Sequence, residues 1–185
     1  AEWRADGRAE TLKTMIQQSS FASQSLVLLA WLQRHAPEVL DKTHRVLFCK
    51  DVLRAWLCCD FSTDYTDAGT AGLLDCHAQE YSEDAMRLVG VEAWLPKLPQ
   101  LGHATDLVGG VSAQGAAQTG LLPGTPVVRG AVDMCASALA ANITRPQEIS
   151  VIAGTFSVVT TRHTKEPKTD VIPKAQFPYA VEGWM

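Results

Sequence analysis

The chain has 185 residues, 46% of them hydrophobic and 19% charged, a composition that excludes a disordered chain and leaves room for one ordinary domain or parts of two. A net charge of -4 and a pI near 5.7 exclude a binder of the nucleic-acid backbone, which needs clustered Lys and Arg. The apolar runs at 26–32 and 136–141 are far shorter than the ~20 residues of a membrane-spanning helix, and the N-terminus lacks a basic-then-apolar signal pattern, so the expected location is the cytoplasm.

Residues 24–36 place Leu28, Trp31, Leu32 and His35 three and four apart, which predicts an amphipathic helix with Trp31 in the core. Val46 to Phe48 reads as a short strand, followed by a helix over 51–56 that contains Trp56. The Ser, Thr and Asp residues at 60–67 are expected to cap a new helix, and Ser82 caps another running to Val89, with Asp84 in its first turn. A looser, Pro-containing stretch at 95–101 follows. Beyond it come a helix at 112–119, a turn at 120–124, a strand at 126–129 broken by Gly130, and a helix marked by Val132, Cys135, Ala136, Leu139 and Ala140. Strands at 148–153 and 156–161, joined at Gly154-Thr155, make a hairpin, and 165–174 reads as an exposed loop. Strands alternating with helices predict an α/β protein.

Five cysteines, with no Cys-x-x-Cys pair and no His-rich cluster, read as buried reduced thiols and supply no metal site. The chain lacks an initiator Met and stops on the apolar pair Trp184-Met185, which points to a fragment of a longer protein.

Three segments carry chemistry when taken together. They are SQSLVLLAWLQRH at 23–35; KDVLR at 50–54 with STDYTDAGT at 62–70 and LLD at 73–75; and GLLPGTPVVRGAVD at 120–133 with IAGTF at 152–156. In their order and spacing they resemble the FGGY family of carbohydrate kinases. The first departs from the family signature at Leu28, where most members carry Lys, and the stretch between Glu10 and Ser25 is shorter than the family's usual spacing. The resemblance runs from Asp6 to Gly183 and is nearest to members acting on L-xylulose-like ketoses.

The resemblance implies an incomplete actin-like ATPase (ribonuclease H-like) fold of α/β class. Residues 1–144 would be the later part of an N-terminal, sugar-binding domain, and 145–185 the first strands of a C-terminal, nucleotide-binding one. It implies ATP-dependent phosphorylation of a ketopentose or related polyol, with ATP and Mg²⁺ as cofactors. Asp133 is then the catalytic base and a substrate contact, Ser23 a second substrate contact, and Gly154 and Thr155 the groups that approach the ATP phosphates. The partners are a small sugar and ATP, with no nucleic acid and no membrane, and a homodimer is left open. A catalytically silent actin-like sugar-binding module, or a kinase of D-xylulose, ribulose or glycerol, is the alternative.

Elementary chemistry is compatible with those roles. Asp133 follows Gly130 by three residues, at the first turn of a helix after a strand, where α/β folds place ligands and where negative charge is favoured. A carboxylate can orient a hydroxyl and take its proton during phosphoryl transfer. Helix capping by Asp133, and an ordinary hairpin turn at Gly154-Thr155, are the structural alternatives.

Overall fold

The computed structural model describes residues 2–154, 157–166 and 175–185. Helices α1 (Glu2–Ala5), α2 (Arg8–Ile16), α3 (Ser25–His35), α4 (Glu38–Lys42), α5 (Cys49–Cys58) and α6 (Tyr65–Thr70) precede a short hairpin of β1 (Leu74–Asp75) and β2 (Glu80–Tyr81). Helix α7 (Glu83–Leu88) and a 3₁₀ turn at Glu92–Lys97 lead to β3 (Leu107–Gly110), α8 (Ala113–Thr119) and β4 (Pro126–Val128). Helix α9 (Asp133–Ala140), β5 (Ile149–Ile152) and β6 (Val158–Thr161) complete the order.

Local chemistry explains three of the helix starts among the described residues. The Asp64 carboxylate accepts from the N–H groups of Thr66 and Asp67, Ser82 Oγ from Ala85 and Ser112 Oγ from Gly115, so α6, α7 and α8 each open on the residue able to satisfy a free donor. Pro96 ends the regular pattern at 92–97 in a 3₁₀ turn.

The described strands form three separate two-stranded antiparallel sheets, β1-β2, β3-β4 and β5-β6. The hairpin expected at 148–161 is present, with Val151 opposite Val159. Strand β4, where a strand at 126–129 is expected, pairs with β3, a partner that the sequence pattern does not announce. Hairpin β1-β2 was equally unanticipated. Val46 to Phe48 lies outside any strand, its Val46 N–H donating to the Lys97 carbonyl at 2.9 Å. Most of the expected 165–174 loop lies outside the described residues.

Three apolar clusters hold these pieces. The first joins Leu12 and Ile16 of α2, Leu26 and Leu29 of α3, Met86 of α7 and Trp94. The second packs Ala68, Leu74, Cys135 and Ala138 against Phe177, Tyr179 and Met185, so the end of the chain lies on α9. The third joins Val111, Ala116 and Val127.

The expected core face of α3 is corrected. Trp31 is 58% exposed and Leu28 48%, while Leu26 and Leu29 are buried. A helix reading Leu-Val-Leu-Leu-Ala-Trp-Leu offers more than one apolar stripe, and α2 and α7 select the one carrying Leu26 and Leu29. Trp31 instead tilts against the His35 ring, with centroids 4.9 Å apart. The cysteines divide similarly. Cys76 and Cys135 are buried, and burial pushes both thiols up to about 12, but Cys49 and Cys59 are exposed, and all five are free.

Candidate active site at the start of α9

Between β4 and α9 the chain turns through residues 129–132. Gly130 has a φ of 85°, a left-handed conformation that other residues adopt at a cost. Val132 occupies the N-cap position and provides no side-chain cap, so the alternative reading of Asp133 as the helix cap is not met in that form. Asp133 is the first helical residue, its carboxylate exposed, with Oδ1 accepting from Met134 N–H at 2.7 Å. This leaves Oδ2 available beside a helix N-terminus, where negative charge is favoured.

A buried polar network backs this turn. Thr66 Oγ1 accepts from Val132 N–H at 2.8 Å and donates to Asp64 Oδ2 at 2.5 Å. Asp64 Oδ1 lies 3.0 Å from Lys50 Nζ, which also reaches Asp51 Oδ1 at 2.6 Å and Asp67 Oδ2 at 3.0 Å. One ammonium thus partly balances the charge of three carboxylates. Burial opposes its charge, but the three carboxylates outweigh burial and raise the Lys50 pKa above its ordinary value.

Arg54 continues the network from α5. Its Nε donates to Asp60 at 2.9 Å, its Nη1 to Asp51 at 3.0 Å and to the Arg129 carbonyl at 2.5 Å, and its Nη2 to the Ser62 carbonyl. Arg129 in turn donates to Ser62 Oγ at 3.0 Å and to Asp106 Oδ2 at 2.5 Å. Its guanidinium lies so close over Gly102 that a Cβ there would fall 1.6 Å from Nη1, so a larger residue at 102 would require the Arg129 side chain to shift.

The network predicts a pH effect. Burial pushes the Asp67 carboxyl up to about 6, against the attraction of Lys50 and with repulsion from Asp64 and Asp51. A raised carboxyl pKa means the folded state binds the proton more tightly. The stabilisation from Asp67 is therefore full below its ordinary value of 3.8 and is lost as pH rises through about 6. Asp67→Asn, which cannot titrate, is expected to flatten this decline, read as urea midpoints of parent and variant between pH 4.5 and 7. Equal pH slopes for the two proteins would refute the assignment.

The other sequence-predicted residues lie elsewhere. Ser23 is exposed in the turn before α3, and Gly154 is exposed at a bend after β5, its carbonyl accepting from Ser157 Oγ at 3.4 Å. Thr155 lies outside the described residues. Among the described residues no hydrogen bond or ion pair joins Ser23 or Gly154 to Asp133. Sequence reasoning assigned 60–67 to capping and missed that Thr66 reaches across to the Asp133 turn. The available signal was the density of charge at 50–67, where Lys50, Asp51 and Arg54 face Asp60, Asp64 and Asp67.

A cleft of about 860 Å³ opens among Trp3, Arg8, Phe21, Trp31, Arg34 and Gly90, and neither Ser23, Asp133 nor Gly154 lines it. Two of its guanidinium groups are already engaged, Arg8 by Asp6 and Glu2 and Arg34 by Glu2. Among the described residues no three His, Cys, Asp or Glu side chains form a group able to hold a metal ion.

Residues 1–140 match the family model described as the FGGY family of carbohydrate kinases, N-terminal domain. Over 184 residues the chain is 29% identical to a Pasteurella multocida protein named "Probable L-xylulose kinase", covering 98% of this chain and 38% of that one. It is 29% identical over 151 residues to an autoinducer-2 kinase of Klebsiella pneumoniae, covering 82% of this chain and 28% of the other. The crystal structure of xylulose kinase from Rhodospirillum rubrum superposes with a TM-score of 0.84 at 26% identity, over 99% of this chain and 37% of that one. The chain therefore spans between 28% and 38% of the length of these relatives.

Proposed function

Because the chain belongs to the FGGY family of carbohydrate kinases, we propose that the protein it forms part of transfers the terminal phosphate of ATP to a hydroxyl of a ketopentose or related sugar, with Asp133 as general base. The fold is α/β, a part of the actin-like ATPase architecture in which the described strands form small sheets. The observation that carries the proposal is the exposed Asp133 carboxylate, fixed through one oxygen to the first turn of α9 behind a glycine-hinged turn.

The sugar hydroxyl hydrogen-bonds to Asp133. As its oxygen attacks the terminal phosphorus, the O–H proton passes to the carboxylate, the new O–P bond forms, and the P–O bond to the departing ADP breaks. Met134 N–H holds one oxygen of the carboxylate, and the other is left for the proton. Gly154 is proposed to approach the ATP phosphates together with Thr155, and Ser23 to contact the sugar. Phosphoryl transfer calls for Mg²⁺ to neutralise phosphate charge, but the described residues form no donor group for it.

We place the sugar-side domain at 1–144 and the start of the nucleotide-side domain at 145–185, in a cytoplasmic protein that works alone or as a homodimer. No helix among the described residues is long and apolar enough to cross a membrane. The likeness to proteins named for L-xylulose favours a ketopentose, and the likeness to an autoinducer-2 kinase supports that signal as a second acceptor. A coupled ADP-release assay of the full-length protein against ketoses, polyols and autoinducer-2 tests the reading. Turnover is expected with a ketopentose, and no turnover with any acceptor would favour a silent sugar-binding module.

A further inference from the structure

We infer that Thr66 is a positioning residue for Asp133, an inference that rests on Asp133 being the base. Thr66 is buried in α6, 66 residues away in sequence from the Val132 N–H that its hydroxyl oxygen accepts at 2.8 Å. That N–H belongs to the residue immediately before Asp133. A hydroxyl has one hydrogen, and here it is committed to Asp64 Oδ2 at 2.5 Å. Asp64 is itself fixed, accepting from Thr66 N–H at 2.8 Å and lying 3.0 Å from Lys50 Nζ. The relay therefore has one polarity: Lys50 orients Asp64, Asp64 takes the hydroxyl hydrogen, and the hydroxyl lone pairs face Val132.

The rest of the turn is held from the other side. Arg54 Nη1 donates to the Arg129 carbonyl at 2.5 Å, and Gly130 N–H donates to the Ala104 carbonyl at 2.8 Å. These ties anchor its first half, and Thr66 anchors the end from which Asp133 projects. Gly130 lets the backbone pivot between them, so loss of the Thr66 contact frees Asp133 while the earlier ties remain. A base acts only within hydrogen-bond reach of the proton it takes, and small displacements cost rate.

The test is made in the full-length kinase, by steady-state kinetics with ATP and the best acceptor sugar. Thr66→Val keeps the shape and removes the hydroxyl; it is expected to lower kcat about 10–100-fold with the KM for ATP within about threefold. Thr66→Ser, which retains the hydroxyl, should keep kcat within about threefold of the parent. In an Asp133→Asn background Thr66→Val should cause no further loss, because the group it positions is already disabled. A merely structural threonine predicts instead that the two losses multiply.

Unchanged kcat in Thr66→Val, a tenfold loss in Thr66→Ser, or multiplying losses would each overturn the inference while leaving the Asp133 reading intact. Near-normal turnover in Asp133→Asn alone would instead remove the base reading, and Thr66 with it. Should Thr66→Val fail to fold, Thr66→Ala, equally without a hydroxyl, is carried through the same comparison beside Thr66→Ser.

Discussion

On the proposed role of Asp133 as base, Asp133→Asn in the full-length protein is expected to lower turnover by about 10²–10⁴-fold while leaving sugar affinity within a few-fold, since general-base contributions fall in that range. The amide keeps the size of the carboxylate and still accepts from Met134 N–H, as Oδ1 does at 2.7 Å in the parent. It can also hydrogen-bond the sugar hydroxyl. What it lacks is the basicity to take the proton as the O–P bond forms. Because the side chain is exposed, the stability cost is limited to the charge at the helix N-terminus, about 0.3–1 kcal/mol. Turnover from the coupled assay, sugar binding by calorimetry and a thermal melt read the three quantities separately. A variant that keeps a tenth of the parent's turnover would remove Asp133 as the base.

Arg54→Met should cost about 3–5 kcal/mol of folding stability, the effect of removing one partner from a buried ion pair and leaving the others charged. Arg54 is 3% exposed and donates to Asp51, Asp60 and two backbone carbonyls, so its loss takes one donor from each of four acceptors at once, while Asp60 keeps its Ser62 contacts. Lys50 remains within 2.6 Å of Asp51 but is already shared with Asp64 and Asp67. Arg54→Lys is expected to recover little, because an ammonium cannot present the planar fork that bridges these partners. Urea unfolding of parent and both variants measures the difference. A loss below about 1 kcal/mol in Arg54→Met would show that the network is solvated enough to be dispensable.

Helix α5 shows why hydropathy alone misplaces such a network. Its Leu53 and Trp56 are exposed, the latter at 64%, whereas Asp51 and Arg54 are buried. From the sequence those apolar residues would be turned inward. The charged face prevails because Lys50, Asp60, the Ser62 and Arg129 carbonyls and Asp64 compensate it, and one of these, Arg129, comes from a distant part of the chain.

What the sequence by itself determined was whatever needs only near neighbours. Asp64, Ser82 and Ser112 cap helices because each side chain reaches an N–H two or three residues ahead, and the 149–161 hairpin forms from adjacent strands. The family was also legible, because its segments recur in order along the chain. Tertiary structure alone decided which apolar stripe of α3 is buried, that β3 pairs with β4, and that Thr66 meets Val132. Each of these depends on which element arrives opposite. That is settled by the summed burial and hydrogen bonding of several elements packed together, and no local spacing encodes it.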